Sequence, residues 1–283
     1  MELPLQVIDT VVAHALAEDI GSGDLTTLAA IPATAHMTAH LVTREAGVIA
    51  GLPVVVAVFR QLDPSVKVLL HTADGVAVVA GATLATVTGP ARSILSGERV
   101  ALNLLQRLSG IATVTAQYVV AVAGTRAQIL DTRKTTPGLR ALEKYAVRMG
   151  GGRNHRFGLY DGVMLKDNHL AILAAQGIDL ATAIARVRAQ LGPMVRLEVE
   201  VESVADAITA AEAGADLILL DNMPLDQLRA AVQAVAGRAQ TEASGGVNLQ
   251  TVRAIAETGV DYISVGALTH SVRALDIGLD YAA

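Results

Sequence analysis

Six β-type runs, each followed by an apolar and alanine-rich helical stretch, fill the chain after Ala127. Short buried-type strands that alternate with helices predict a parallel sheet joined by right-handed crossovers. Six such units favour a β/α barrel, complete or incomplete, over an open doubly wound sheet, because no GxGxxG turn follows the first strand. Both folds place their chemistry at the carboxyl ends of the strands. The runs are AQILDT (127–132), GVMLKD (162–167), RLEVEVES (196–203), DLILLDN (216–222), QTEASGG (240–246) and DYISVGA (261–267).

The preceding part of the chain has a different pattern, which predicts a small α+β domain. Apolar residues at helical spacing predict an opening helix from Leu5 to about Glu18. A second helical pattern from Ser93 to Val122, broken or bent near Ser109 and Gly110, bridges to the strand–helix region, and we place the boundary near residue 107. Between these helices lie β-like runs near 37–43, 66–72 and 82–89 and an apolar helix-like run at 52–62.

Composition excludes several classes of protein. The 283 residues can bury a core without disulfides or thiolate zinc sites, and the chain contains no cysteine. A net charge of −5, two Phe and no Trp argue against nucleic-acid binding. No charged leader precedes an apolar segment, and no apolar run approaches about 18 residues. We therefore expect a cytoplasmic protein that binds neither nucleic acid nor membrane.

Residues 131–170 are strongly basic within this acidic chain, with eight Lys or Arg against four acidic residues. Such a local excess predicts a site for a small, highly charged anion. The chain has 18 arginines and four lysines, and three of the lysines, Lys134, Lys144 and Lys166, lie in this segment, where a compact ammonium is favoured. Arg140, Lys144 and Arg148 recur at helical spacing, and for Lys144 and Arg148 a solvated helix face is favoured over ligand contact.

The last two strands end in glycine-rich motifs that suit a phosphate. In SGG, at 244–246, and SVGA, at 264–267, small side chains let backbone N–H groups approach an anion. Barrels commonly bind phosphate at the loops after their final strands. The alternative is that these glycines only make tight turns.

Two carboxylates, Glu200 and Asp221, end consecutive strands beside that predicted phosphate site. They would repel the ligand unless a divalent cation lay between them, and oxygen ligands of this kind suit Mg²⁺. Strand alternation also puts Glu198, Glu200 and Glu202 on one face, which would be costly inside a barrel without cations. The alternative is an alternating strand with solvated glutamates.

The basic residues at the strand ends suit a ligand with both carboxylates and phosphates. Arg133 and Lys134 directly follow the first strand, and His155 and Arg156 lie in the connection GGGRNHRFG. Arginine binds a carboxylate through two hydrogen bonds, whereas lysine acts as a point charge. A lone histidine is more often structural, but the flanking arginines favour a place for His155 in the site.

Taken together, the motifs resemble those of the quinolinate phosphoribosyltransferases, the decarboxylating nicotinate-nucleotide pyrophosphorylases of NAD synthesis. The resemblance implies a small α/β sandwich domain at 1–107, an incomplete barrel at 108–269, a C-terminal segment (270–283) that returns to the first domain, and a homodimer or an assembly of dimers. The motifs that carry it are EDIGSGDLTT (18–27), SGERVALNLLQRLSGIAT (96–113), DTRKTTPGLR (131–140), GGGRNHRFGLYDGVMLKDNH (150–169), EVEVES (198–203), LLDN (219–222), EASGGV (242–247) and ISVGALTHS (263–271).

The same resemblance implies a role for each site residue. Quinolinate carboxylates would be held by Arg133, His155, Arg156 and Lys166, together with Arg99 from the partner subunit. Lys134 and Lys166 would face phosphoribosyl pyrophosphate, and Glu200 and Asp221 would face its ribose and Mg²⁺. The phosphates and their surroundings would be contacted by Thr132, Ser244, Gly245, Gly246, Ser264, Val265, Gly266 and His270.

Three alternative functions remain open from the residues. A related phosphoribosyltransferase-like protein of the same fold would act on a different substrate, although the complete RNHR and ERVALN motifs speak against it. A Schiff-base aldolase would need one neutral lysine. A non-catalytic phosphometabolite-binding barrel would share the glycine loops but would not need the clustered arginines.

Overall fold

The computed structural model describes residues 3–282. The chain divides into two compact units. The first comprises the chain up to Ala116, Thr135–Gly151 and the chain from Leu268 on, and the second comprises Gln117–Lys134 and Gly152–Ala267. The domain limits expected from the sequence also include residues 1, 2 and 283, which lie outside the described part.

Helices and strands are numbered along the chain. The helices are α1 (Leu5–Ile20), α2 (Leu25–Ala30), α3 (Leu52–Leu62), α4 (Ala91–Ala121), α5 (Arg140–Met149), α6 (Asp167–Ala174), α7 (Leu180–Arg188), α8 (Val204–Glu212), α9 (Leu225–Val235), α10 (Val252–Ala256) and α11 (Ala267–His270). The strands are β1 (His36–Thr43), β2 (Gly47–Val48), β3 (Lys67–Leu70), β4 (Ala77–Val78), β5 (Thr83–Pro90), β6 (Gln128–Leu130), β7 (Val163–Leu165), β8 (Leu197–Val201), β9 (Leu217–Asp221), β10 (Gln240–Ser244), β11 (Tyr262–Ser264) and β12 (Ile277–Tyr281).

The first unit is built on a four-stranded antiparallel sheet with the order β12-β1-β5-β3. The apolar run at 52–62 forms α3, as predicted, and buries Val54, Val55, Val58 and Phe59. It starts after Gly51, which has φ 111°, and the Asp74 carboxylate accepts the backbone N–H groups of Gly51 and Leu52. These bonds satisfy donors that a helix start leaves without partners.

The predicted break near Gly110 is wrong, because α4 runs without interruption from Ala91 to Ala121. Gly110 is instead required by close packing. A Cβ built there would lie 2.2 Å from the Arg273 carbonyl oxygen, so only glycine lets the C-terminal segment cross the helix. The Ser109 hydroxyl is also used, since it donates to the Ala50 carbonyl oxygen and accepts the Ala50 N–H.

The interpretation of Lys144 as part of a solvated helix face is wrong, whereas Arg148 is exposed. Lys144 is 1% exposed and its neighbour Glu143 is fully buried. Arg107 donates to Glu143 Oε1 over 2.6 Å, and Glu143 Oε2 accepts the Thr136 N–H. Helical spacing located α5 but could not show which of its faces is covered.

The second unit is built on a six-stranded parallel sheet with the order β6-β11-β10-β9-β8-β7. All six strands expected from the sequence are present, and most are followed by a helix. Residues of the outward faces, such as Val199, Ile218, Leu220 and Ile263, are buried. The order is that of a barrel whose strands follow one another around a ring, which confirms the predicted fold class.

The ring is incomplete between β6 and β7. Within residues 3–282 no strand pairing joins these two strands. Arg153 partly fills the gap, because its N–H donates to the Ile129 carbonyl and its own carbonyl accepts the Asp131 N–H, which makes a one-residue parallel bridge beside β6. The loop that carries residues 154–162 therefore begins in the gap of the barrel.

Candidate active site

The carboxyl ends of the parallel strands bring the predicted polar residues of the second unit to one edge. Asp221 at the end of β9 is the register partner of Ser244 at the end of β10. Ser264 of β11 pairs with Leu130, which directly precedes Asp131. This edge is where a barrel places its chemistry.

Within the sheet the polar side chains lie in two successive layers. Met164 of β7 pairs with Glu198 of β8, and Lys166 and Glu200 each follow two residues later on the same face. Two residues of a strand span about 6–7 Å. We call Lys166, Glu200, Asp221 and Ser244 the rim, and the deeper group of His155, Glu198 and Glu242 the floor.

At the rim, Lys166 pairs with Glu200. Lys166 Nζ lies 2.8 Å from Glu200 Oε2, and the two side chains are 42% and 13% exposed. The sequence predicted that a cation offsets the interior carboxylates, and at Glu200 that cation is the ammonium of Lys166. Glu202 follows the end of β8 and is exposed, so the solvated alternative holds for that residue.

The loop between β6 and β7 is held by Asp131, whose side chain is fully buried. Its Oδ2 accepts Asn154 Nδ2–H at 2.5 Å and its Oδ1 accepts the His155 N–H at 2.9 Å. A carboxylate with two such donors anchors the RNHR segment to the end of β6.

The ring of His155 is oriented from both sides. Its Nδ1 accepts the Arg156 backbone N–H at 2.7 Å, and its Nε2 lies 2.8 Å from Glu198 Oε2. Since Nδ1 is an acceptor, the proton of the neutral ring lies on Nε2, which donates to Glu198.

Glu242 completes the floor and is fully buried. Its Oε2 lies 3.6 Å from His155 Nε2, and within residues 3–282 neither of its oxygens has a hydrogen-bond partner. Burial first, and then the Glu198 carboxylate, raise the pKa of Glu242 to about 8, and His155 opposes the shift.

Arg156 follows His155 in the loop and is half-buried. Its guanidinium donates to the Gly162 carbonyl at 3.0 Å and approaches Met164 Sδ at 3.7 Å. Burial, followed by the positive charge of Arg133, lowers the pKa of Arg156. The positive charges of Arg133 and Arg156 act on each other and together create a field that favours a multiply charged anion.

The glycine motif after β10 has both a structural and a functional reading. Gly245 has φ +94°, and a Cβ there would lie 2.1 Å from Asn222 Oδ1, so the turn itself requires glycine. Gly246 has φ +61° and nothing within 4 Å of its missing Cβ, so space remains for a ligand. The Val265 N–H already donates to the Leu130 carbonyl, so phosphate contact through this group is not favoured.

Two cavities border these residues. One of about 430 Å³ is lined by the loop residues Arg153–Arg156, by Glu198 and by residues that begin β8, β9 and β11, so it extends from the floor toward the amino-terminal side of the sheet. The other, of about 370 Å³, is lined by Asp167, Glu200 and Glu202, among others, at the carboxyl side of β8.

Neither Glu242 nor the anchoring role of Asp131 was predicted from the sequence. A single acidic residue in QTEASGG carries no spacing signal, but its alternation with Ser244 places it on the interior face, and that feature could have found it. Within the described residues, three side chains lie close enough together to be tested as a metal site, with one nitrogen or oxygen atom of each within 4.8 Å of the others: His155, Glu198 and Glu242. Glu200 and Asp221 are not part of it.

Arg99 and His270 belong to the first unit. Arg99 is exposed on α4. His270 is exposed at the end of α11, and its Nδ1 lies 2.6 Å from Ser271 Oγ. Both side chains are available to a ligand or a partner. A search of the described helices finds none long and apolar enough to cross a membrane.

Comparison with known proteins gives one consistent family. Residues 24–109 match the quinolinate phosphoribosyl transferase N-terminal domain, and residues 111–280 match its C-terminal domain. The chain is 48% identical over 267 residues to a probable nicotinate-nucleotide pyrophosphorylase [carboxylating] of Bacillus subtilis, covering 94% of this chain and 91% of the relative. It is 49% identical over 277 residues to the corresponding protein of Mycobacterium leprae, covering 95% of each.

Solved structures agree with this result. The crystal structure of NadC from Streptococcus pyogenes covers 100% of both chains with a TM-score of 0.94 and 45% identity. The nicotinate-nucleotide pyrophosphorylase from Francisella tularensis matches with a TM-score of 0.94 and 37% identity, covering 99% of this chain and 98% of the other. Both sequence and architecture are thus shared along the whole chain.

Proposed function

The chain belongs to the quinolinate phosphoribosyltransferase family, as a decarboxylating phosphoribosyltransferase of NAD biosynthesis, and from this premise we propose which of its residues carry the reaction. Quinolinate and phosphoribosyl pyrophosphate give nicotinate mononucleotide, pyrophosphate and CO₂. The pair Arg133 and Arg156 supports this reaction best, because two half-buried guanidinium groups whose charges act on each other suit the two carboxylates of quinolinate.

Quinolinate binds between Arg133, Arg156 and Lys166, with His155 beneath it. The half-buried setting of these cations strengthens their interaction with a dianion. Both ring nitrogens of His155 contact the protein, Nε2 with Glu198 and Nδ1 with the Arg156 N–H, so the ring supports the Arg156 backbone. Arg133 and Arg156 orient the pyridine, which brings its nitrogen toward the rim.

Phosphoribosyl pyrophosphate binds along the rim and the adjoining glycine turns. Lys134 and Lys166 face its phosphates, Glu200 and Asp221 face the ribose hydroxyls, and the open space at Gly246 admits a phosphate to the backbone N–H groups. Thr132, whose hydroxyl accepts the Lys134 N–H at 3.0 Å, shapes the first of these turns. The motif at 244–246 completes the pocket together with Ser264 and Gly266, whereas the Val265 N–H is used by the Leu130 carbonyl.

Mg²⁺ binds with the pyrophosphate rather than in a cage of protein ligands. Asp221 and Glu200 supply oxygens of the kind Mg²⁺ prefers, and the ion commonly uses one or two carboxylates together with phosphate oxygens. Asp221 is half-buried and accepts Asn222 Nδ2–H at 2.7 Å, while Glu200 Oε2 is held by Lys166. When bound, the ion offsets negative charge on the departing pyrophosphate.

The chemistry needs orientation and electrostatics from the protein. As the bond from ribose C1 to pyrophosphate breaks, Lys134 and Lys166 offset the charge that grows on the leaving group. The pyridine nitrogen captures C1, and the resulting pyridinium withdraws electrons from the carbon that bears the 2-carboxylate. CO₂ then departs, and the carbanion left beside the positive nitrogen takes up a proton.

The decisive assay follows CO₂ released from carboxyl-labelled quinolinate. Release should depend on both phosphoribosyl pyrophosphate and Mg²⁺. Nicotinate has one carboxylate and should turn over far more slowly than quinolinate. Equal or faster turnover of nicotinate would contradict the assignment of the arginine pair.

The active site is completed by a second copy of the chain in a homodimer or an assembly of dimers, with Arg99 acting on the partner's quinolinate. Two observations support this role of Arg99: its side chain is exposed on α4, and it belongs to the unit that does not contain the rim or the floor. Arg99→Ala and Lys166→Ala homodimers should each be nearly inactive. Mixed dimers should recover up to about one intact site in two. No recovery after verified subunit exchange would place Arg99 in its own chain's site or outside the site.

His270 contacts a phosphate of phosphoribosyl pyrophosphate, and its exposed ring at the end of α11 leaves it accessible.

The enzyme works in the cytoplasm, where phosphorylated sugars are retained because their charge prevents passive loss across membranes. Fractionation of cells that express the tagged protein tests this location.

A further inference from the structure

The floor group holds two carboxylates close together with little to offset their charge. Glu198 Oε2 has the His155 Nε2–H donor at 2.8 Å, whereas both oxygens of Glu242 lack a hydrogen-bond partner within residues 3–282. Glu242 is also fully buried. An ionised carboxylate in this setting loses its hydration without gaining a replacement.

Two arrangements could remove that cost, namely a bound cation or a bound proton. A metal ion at the floor would need the lone pair of His155 Nε2 and would place the ring proton on Nδ1. The Arg156 N–H, however, donates to Nδ1 at 2.7 Å, so that position must be an acceptor. The ring orientation therefore favours the proton.

The remaining groups around Glu242 do not supply a compensating charge. On the neighbouring strands its register partners are Leu219 of β9 and Tyr262 of β11. The Ser264 hydroxyl favours the ionised form of Glu242, and Asp131 adds a further negative charge that disfavours it. His155, on the loop, is already engaged by Glu198.

We propose that Glu242 is a neutral carboxylic acid in the working enzyme and that its proton is required for tight binding of the quinolinate dianion above it. Glu242 is a positioning residue that touches no substrate. Its proton leaves Glu198 as the single negative charge of the floor, balanced by the His155 donor. This role rests on the proposed function for its effect on quinolinate, while the protonation itself does not.

Loss of this proton would put a second buried negative charge next to the carboxylate-binding residues. Burial and the Glu198 carboxylate raise the pKa of Glu242 to about 8, so its ionisation can be followed by measuring the KM for quinolinate below and above that pH. Above that pH the KM for quinolinate should rise about tenfold per pH unit, because only the protonated enzyme binds the dianion well. Turnover at saturating quinolinate should change little.

The first measurement is infrared difference spectroscopy at pH 7 in H₂O and D₂O. Wild type should show the carbonyl band of a protonated carboxylic acid, with its deuterium shift. Glu242→Gln should lack the band, and the control Glu18→Gln, at an exposed position on α1, should retain it. A wild type without the band, or a band removed by Glu198→Gln but kept in Glu242→Gln, overturns the proposal.

The second measurement compares wild type with Glu242→Gln, since glutamine has the shape of the neutral acid. In the variant the KM for quinolinate should stay flat from pH 7 to 9.5, and a rise equal to that of wild type overturns the proposal. Thermal unfolding gives an independent readout. A carboxyl group with a raised folded-state pKa loses its contribution as pH rises from 4.5 to about 8, so the Tm of the variant should gain on that of wild type by at least about 4 °C over this range.

The outcomes separate this proposal from the proposed function. A Tm difference that stays constant with pH, or a Glu242→Gln chain that fails to fold, overturns the neutral acid. Stoichiometric zinc or manganese in the purified enzyme, lost in Glu242→Gln, overturns it as well. A wild type that shows the acid band but does not consume quinolinate would instead contradict the function and leave the protonation standing.

Discussion

The rim and the floor both contain carboxylates beside a basic side chain, but the two groups differ in their exposure to solvent and therefore in their function. The Lys166–Glu200 pair at the rim has a lysine side chain that is 42% exposed, so solvent screens it and it adds little to folding. At the floor, Glu242 is fully buried and has no hydrogen-bond partner in the described chain. The solvent-exposed charges of the rim remain available to bind a substrate. The buried groups of the floor instead fix the positions of the side chains around the site.

The largest expected effect is on activity, at Lys166 of the rim and at Lys134, which follows β6. Lys166→Ala or Lys134→Ala should lower kcat/KM by about 30- to 5,000-fold, equivalent to about 2–5 kcal/mol, because each ammonium acts as a point charge on the phosphates. Urea unfolding should be nearly unchanged. Lys67→Ala, at an exposed position on β3, is the matched control, and near-normal activity in both test variants would exclude Lys134 and Lys166 from catalysis.

The second largest expected effect is on stability, at Asp131, which anchors the loop that carries His155. Asp131→Ala should lower the free energy of unfolding by about 2–4 kcal/mol, because Asn154 Nδ2–H and the His155 N–H lose their buried acceptor. Asp131→Asn keeps one acceptor and should cost less. Equal losses in the two variants would mean that the negative charge of Asp131, and not the number of acceptor atoms that remain, holds the loop.

A smaller effect is expected at the turn after β10. Gly245→Ala should cost about 1–3 kcal/mol, since its φ is +94° and the new Cβ would lie 2.1 Å from Asn222 Oδ1. Gly246→Ala, with φ +61° and open space, should cost about 1 kcal/mol. Urea unfolding of both variants, with Gly245→Ala repeated in an Asn222→Ala background, measures the steric part. No relief in that background would leave backbone strain as the whole cause.

The smallest effect tests the contrast directly. Glu200→Gln should change the free energy of unfolding by less than about 1 kcal/mol, because its partner Lys166 is half-exposed and screened. The same variant should lose activity if Glu200 contacts the ribose. A stability loss as large as that of Asp131→Ala would mean that the Lys166–Glu200 pair, like the Asp131 anchor, supports the fold.

Sequence periodicity predicted the strands of the second unit well, because each is an apolar run that alternates with a helix. It also located α3 at 52–62. Gly110 misled it, since a glycine inside a helical pattern resembles a break when the crossing segment near Arg273 is unknown. Lys144 misled it for a related reason: what covers one face of a helix is decided by distant parts of the chain.

For the site, the sequence indicated the strand-end residues but not the floor as a unit. Glu198 and His155 were found separately, through alternation and through the RNHR motif. Their contact, and the third member Glu242, depend on how three separated segments meet inside the ring. Residue type and spacing do not predict tertiary contacts of this kind between separate segments.

The pairing of β12 with β1 has a consequence for how the chain is made. β1 is hydrogen-bonded along one side by residues 277–281, which follow every strand of the parallel sheet. During synthesis on the ribosome, that side of β1 must wait, with its N–H and C=O groups open, until the whole second unit has emerged. The first unit to be translated is thus the last to be finished.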